Sequence, residues 1–133
     1  MPREYRLTRR VQFYETDVAG IVHFSWFFRY MEEAEHALWR EAGLSIHPPD
    51  AEIGWPRVGA ACEFHEALLF EQELEVAIRI TDIAPRTISY ACDMTQNGRQ
   101  IATGTMRIAC VRKSREGMRS IQIPADIAAR FSS

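Results

Sequence analysis

Cysteine is scarce and scattered in this sequence. Cys62, Cys92 and Cys110 are the three present. No two form a CxxC pair, and none stands with histidine at zinc-ligand spacing, so neither a disulfide framework nor a metal site is expected. Each lies in an apolar, strand-like run and reads as a buried free thiol, which suits a reducing compartment. Long apolar runs are also missing. Nothing approaches the ~18 residues of a membrane span, and the opening MPREYRLTRR has no apolar secretion-signal core. The expected location is therefore the cytoplasm. Neither sign of charge is in excess: 16 Lys and Arg against 18 Asp and Glu give a formal net charge of -2. That balance argues against nucleic-acid binding, although it leaves room for a local basic patch facing a phosphorylated ligand. Internal repeats, low-complexity tracts and Pro/Ser linkers are absent.

What is present suits one domain over residues 1–133. The chain is 47% hydrophobic and 26% charged, ordinary for a globular protein and enough for a core without staples. Residues 5–13 alternate, with Tyr5, Leu7, Val11 and Phe13 on one side, which predicts a strand; Arg9 interrupts the apolar side. After a short Gly-containing segment, Phe27, Tyr30, Met31, Ala34, Leu38 and Ala42 recur at spacings of three and four. This predicts an amphipathic helix of about four to five turns, with Ser25 as its N-terminal cap and Gly43 at its C-terminal end. Residues 44–57 hold Pro48, Pro49, Gly54 and Pro56 and read as a loop.

Four alternating runs follow: Val58 to Phe64, Leu74 to Ile80, Ile88 to Met94 and Gly104 to Cys110. Asn97-Gly98 is a hairpin signal between the last two. Pro124 marks a tail with at most one helical turn. Strands joined by short turns imply an antiparallel sheet. The expected class is α+β, with one long helix on five antiparallel strands. One helix cannot cover both faces or both edges of such a sheet, so a homodimer or homotetramer is expected.

The chemistry concentrates in Tyr14-Glu15-Thr16-Asp17-Val18-Ala19-Gly20-Ile21-Val22-His23-Phe24. An Asp follows a strand and precedes a Gly-containing turn and a helix start. Free N–H groups at a helix N-terminus can stabilise a developing oxyanion. A carboxylate beside them can act as general base or nucleophile. An Asp in this position also serves commonly as a turn former or cap.

The string Asp17-x-x-Gly20-Ile21-Val22, with the aromatic-rich helix start and Glu32/Glu33, resembles the 4-hydroxybenzoyl-CoA thioesterase family of hotdog proteins. The resemblance runs from Val11 to about Arg112. It implies a hotdog fold and an acyl-CoA thioesterase with Asp17 as catalytic carboxylate. The backbone N–H near Phe24 would polarise the thioester carbonyl, and Gly20, Ile21, Val22 and His23 would shape the loop. Many family members carry Tyr-His where this chain has His23-Phe24; His23 could still touch the acyl group or a catalytic water. Glu32 is where aromatic-acyl members can carry a carboxylate toward the acyl end, but charge patterning does not say whether Glu32 or Glu33 points inward. Arg86 and Thr87 match the turn and strand start that meet coenzyme A, with Arg57, Arg112, Lys113 and Arg115 as a possible basic rim. His36, His47 and His65 read as surface or packing residues. The resemblance places sites at a dimer interface. It requires no cofactor, because coenzyme A is part of the substrate. Two alternatives stay open: a hotdog hydratase or dehydratase working through His23, and a non-catalytic acyl-CoA-binding module.

Overall fold

Alternating apolar residues draw five strands into one antiparallel sheet. The computed structural model describes residues 3–131; Met1 and Pro2, the start of the charged N-terminal stretch, and Ser132 and Ser133 lie outside the described residues. The strands are β1 (Glu4–Arg10), β3 (Arg57–Phe64), β4 (Glu73–Ile83), β5 (Thr87–Gln96) and β6 (Arg99–Ala109), in the order β1-β4-β5-β6-β3. On β4, Leu74, Val76, Ile78 and Ile80 are buried while Glu73, Arg79 and Thr81 are exposed. On β5, Ile88, Tyr90, Cys92 and Met94 face the same core. Period-two alternation thus becomes one buried face. Asn97 and Gly98 close the β5–β6 hairpin with φ of 50° and 76°, the two left-handed residues of a type I′ turn.

The long helix α1 (Ser25–Glu41) lies across that face and buries Phe27, Tyr30, Met31, Ala34 and Leu38. Its close approach depends on Gly104. A Cβ there would stand 2.3 Å from Met31 Sδ and 3.0 Å from the Ala61 carbonyl oxygen. The helix ends at Glu41 with Ala42 as its C-cap, and just past it the Gly43 N–H donates to the Arg40 carbonyl at 2.9 Å and the Leu44 N–H to that of Trp39 at 2.9 Å. Trp39 Nε1–H donates to Tyr90 Oη at 3.0 Å, tying the helix to the middle of the sheet.

Three expectations need correction. The first strand stops at Arg10, and residues 13–15 form a 3₁₀ turn. The cause is Glu15, whose carboxylate accepts the Gln12 N–H at 2.8 Å and pulls the chain out of the sheet, leaving Phe13 exposed. Ser25 does not cap α1. Phe24 takes the cap position with φ -54° and ψ -31°, and no side chain caps from there. Finally, a second small sheet lies outside the five strands: β2 (Ile53–Gly54), β7 (Val111–Ser114) and β8 (Gly117–Ser120), in the order β2-β7-β8. A short α2 (Ala125–Arg130) follows, and Phe131 packs on Trp39 at 5.1 Å between ring centroids. Two residues are too few to show a period in β2, and β8 is exposed along its length.

Candidate active site

Asp17 sits on a short hairpin-like excursion between β1 and α1. The Asp17 N–H donates to the Ile21 carbonyl at 2.8 Å, and the His23 N–H donates to the Glu15 carbonyl at 2.9 Å. Thr16 and Val22 form a bridge between these rungs. The turn closes with the Gly20 N–H on the Asp17 carbonyl at 2.9 Å. Gly20 has φ +82° there, a conformation costly to a residue with a Cβ. Asp17 Oδ1 accepts the Ala19 N–H at 2.8 Å. The turn-forming role of an Asp is therefore real, and it coexists with a carboxylate on the wall of a cavity.

That cavity has a volume of about 320 Å³ and is lined by Asp17, Ile21, Val22, Phe24, Phe27, Phe64, His65, Glu66, Ala67 and Leu68. Its wall joins the excursion to the end of β3. The Val22 N–H donates to the Leu68 carbonyl at 2.9 Å, and Ile21 bridges Leu69. Phe27 and Phe64 approach at 5.5 Å between ring centroids. The site is a mostly apolar pocket with a few convergent polar groups, the usual make-up of a small-molecule site.

The helix N-terminus beside it is finished by His23. His23 Nδ1 lies 2.8 Å from Ser25 Oγ and accepts the Ser25 N–H at 3.3 Å. The Trp26 N–H donates to the His23 carbonyl at 2.9 Å. Among the described residues the Phe24 N–H donates to no acceptor, so it remains available at the positive end of a 17-residue helix.

The other residues named from sequence are placed as follows. Glu32 is half-buried beside Arg29 at 3.7 Å and Arg57 at 3.5 Å, outside this cavity. Glu33 pairs with Arg9 at 2.9 Å. Arg86 lies in the β4–β5 turn, where its Nη1 donates to the Ser120 carbonyl at 3.1 Å. Thr87 opens β5 opposite Ala109. The cavity lies near Ile101, whose carbonyl accepts the His65 N–H. Eight residue steps along β6 lead from Ile101 to Ala109, roughly 26 Å at the usual strand rise, so Arg86 and Asp17 lie toward opposite ends of one chain's sheet. Arg57 is no free basic rim: it donates to Glu35 at 2.9 Å. Arg112 pairs with Glu52 at 2.9 Å.

Sequence reasoning missed His65, assigned to surface or packing, which lines the cavity and lies 3.2 Å from Thr103 Oγ1. It also missed Glu15 and Glu35, each 0% exposed. Arg9 on the apolar side of β1 was the available signal for Glu15. Nothing in the pattern marked Glu35 among the neighbouring glutamates of α1.

The thiols are poor nucleophiles. Burial, aided by Glu63, pushes Cys62 up to about 11, and burial, aided by Glu35, pushes Cys92 up to about 12. Burial also raises Cys110, against the pull of Arg112. A raised thiol pKa favours the protonated form. At pH 8 a thiol at 11 holds about a hundredfold less thiolate than one at 9. Iodoacetamide should therefore label Cys62 about two decades more slowly in the native protein than in the unfolded chain, read by peptide mass. Rapid labelling of native Cys62 would contradict this. Among the described residues, no group of three or more His, Cys, Asp or Glu is placed to hold a metal ion, and no helix is long and apolar enough to cross a membrane.

Comparison with known proteins identifies the family. The thioesterase-like superfamily model matches residues 11–131. The chain belongs to that superfamily. A relative from Aquifex aeolicus (strain VF5), provisionally named an esterase, is 37% identical over 92 residues, covering 68% of this chain and 70% of the relative. Among solved structures, a gentisyl-coenzyme A thioesterase is 27% identical with a TM-score of 0.83, over 96% of this chain and 100% of that one. The 4-hydroxybenzoyl-CoA thioesterase of Pseudomonas sp. strain CBS-3 is 21% identical with a TM-score of 0.84, over 96% and 99%; at that identity it speaks for the fold alone. The protein is thus a hotdog-fold member of a thioester hydrolase family, as the Asp17-x-x-Gly20-Ile21-Val22 string implied.

Proposed function

We propose that this thioesterase-family protein hydrolyses an acyl-CoA to the free acid and CoA, with Asp17 as the catalytic carboxylate. The observation that carries the reading is the juxtaposition of Asp17, on the wall of an aromatic cavity, with an α1 N-terminus whose Phe24 N–H lacks an acceptor among the described residues. A thioester carbonyl turned toward Phe24 would have its developing oxyanion met by that donor and the helix dipole. Asp17 either takes a proton from the attacking water or attacks the carbonyl itself. Collapse of the tetrahedral adduct expels the CoA thiolate. The thiolate then takes up a proton, and the acid leaves as carboxylate. In the attack route, water subsequently cleaves the mixed anhydride. No cofactor enters these steps.

The acyl group is read as aromatic or medium-length aliphatic, because Phe24, Phe27 and Phe64 face the cavity. A thiol-release assay with aromatic, hydroxylated aromatic, short and medium aliphatic acyl-CoAs tests this. Turnover of none of them, with CoA still bound, would leave the binding-module reading in its place. The His-based hydratase reading gains nothing from the geometry, since His23 is not among the residues that line the cavity. The free thiols Cys62, Cys92 and Cys110 support a cytoplasmic setting.

Arg86 and Thr87 enter this reading through a second copy. β3 is an unpaired sheet edge, with Val58 and Phe64 exposed. Phe24, Leu69 and Phe70 are also exposed, an apolar surface expected to be covered. Antiparallel pairing of β3 with its copy sets the Phe64 end of one chain against the Arg57 end of the other. Thr87 pairs with Ala109, whose N–H donates to the Pro56 carbonyl at 3.0 Å. Arg86 therefore lies about two strand spacings, roughly 10 Å, from that Arg57 end. A homodimer would bring one copy's Arg86 toward the other's cavity, as a site for CoA phosphate. Arg86→Ala should raise KM at least fivefold with kcat nearly unchanged, the mark of uniform binding. An unchanged KM, or a sedimentation mass of one chain, would remove Arg86 from the site.

A further inference from the structure

The sequence puts an arginine on the apolar side of β1 and a glutamate two residues before Asp17. The structure joins them. Glu15 is fully buried, and its carboxylate collects donors from three segments. Oε1 accepts the Tyr30 hydroxyl of α1 at 2.8 Å, the Gln12 N–H at 2.8 Å and Arg9 Nη1 of β1 at 3.0 Å. Oε2 accepts Arg9 Nη2. Arg9 reaches on to Glu33 of α1 at 2.9 Å, and its guanidinium lies over the Tyr30 ring, 4.9 Å from the centroid.

The main chain of Glu15 is the base of the Asp17 excursion. Its carbonyl accepts the His23 N–H at 2.9 Å, the last rung before Phe24. Any shift of Glu15 is passed to Asp17, two residues along one arm, and to the Phe24 N–H, one residue past the rung on the other.

We infer that Glu15, clamped by Arg9 and Tyr30, is a positioning residue that sets the Asp17 carboxylate against the Phe24 N–H. This rests on the catalytic reading of Asp17 given above. A buried plug needs no charge, and burying an ion pair seldom adds net stability over apolar packing. What a carboxylate with several donors provides is a fixed direction for each bond, and small errors of placement are costly to a reacting pair. The groups are held in the required states. Burial, followed by the Glu15 hydrogen bond, keeps the Tyr30 phenol protonated far above its ordinary range. Burial pulls Arg9 down, but its bonds to Glu33 and Glu15 more than offset that.

Tyr30→Phe in the full chain is the cleanest test, because it deletes one donor and leaves the ring in place. The expected result is kcat lowered about tenfold with KM within twofold, at a temperature where circular dichroism shows the variant folded. Glu15→Gln should show the same split with a larger fall in kcat; if it does not fold, Tyr30→Phe still decides. A kcat within twofold of the parent, or kcat lost only in proportion to the folded fraction, overturns the inference. Asp17→Asn runs in parallel. If it stays active, the catalytic reading fails; if it is dead while Tyr30→Phe keeps its kcat, only the positioning role fails.

Discussion

Asp17→Asn should lower kcat by at least two to three decades while leaving KM and the melting temperature close to those of the parent. The substitution is nearly isosteric, and the amide oxygen can still accept the Ala19 N–H that Asp17 Oδ1 accepts at 2.8 Å. The turn closed by Gly20 therefore survives. What disappears is negative charge: an amide neither takes a proton from water nor attacks a thioester at useful rates. Two to three decades correspond to about 2.7–4 kcal/mol of transition-state stabilisation. The effect is expected on kcat because the cavity walls proposed to hold the acyl group, Phe24, Phe27 and Phe64, are untouched. Steady-state thiol release on the best ester of the panel makes the measurement. Activity within threefold of the parent would move the chemistry elsewhere in the cavity, with His65 and Glu66 next in line. Single turnover of the parent in oxygen-18 water adds a mechanistic arm: label recovered in the Asp17 carboxylate signals direct attack.

The sequence carried the frame of this site further than its interior. Five strands and one helix were legible because one face of the sheet is buried, and burial of one face writes a period of two into β4 and β5. Asp17, Gly20 and the helix start were legible because a short motif spans them. The polar groups beneath the helix were not. Glu32, Glu33 and Glu35 look alike in a string, and only the angle at which α1 crosses the sheet decides their fates. Glu33 turns to Arg9, Glu32 stays half-buried near Arg57, and Glu35 is driven into the core. Ser25 misled for a related reason: a preferred capping residue type lost the cap to local geometry once His23 supplied the acceptor for the Ser25 N–H. His65 escaped notice because its neighbours in space, Thr103 and the excursion, are distant in sequence.

The second large effect follows from Glu35. It is 0% exposed, and Oε2 has no hydrogen-bond partner among the described residues. Its compensation is Arg57, whose Nη2 donates to Oε1 at 2.9 Å while Nη1 leans on Met106 Sδ at 3.0 Å. The guanidinium is pulled down by burial, but its hydrogen bond to Glu35 more than offsets this and keeps it charged. Tyr90 reports the same field: burial, then the Glu35 carboxylate, hold its phenol well above the ordinary range. Arg57→Ala removes the counter-charge and leaves the carboxylate in the core. The carboxylate end of the pair is fully buried and the arginine side chain is 27% exposed, so breaking it from the Arg57 side costs toward the low end of the roughly 3–5 kcal/mol of a fully buried pair, still a large share of the roughly 5–15 kcal/mol that holds a domain folded. For a chain of this size the melting temperature should fall by roughly 10–20 °C. The double variant Arg57→Met with Glu35→Leu should recover most of that loss, because replacing both partners with apolar groups strands no charge. Thermal melts of the three proteins at pH 7 give the answer. A fall of less than about 3 °C for Arg57→Ala, on the same scale, would mean that Glu35 is compensated by something other than the arginine, and a double variant no better than the single one would mean that packing around Met106, rather than the stranded charge, sets the cost.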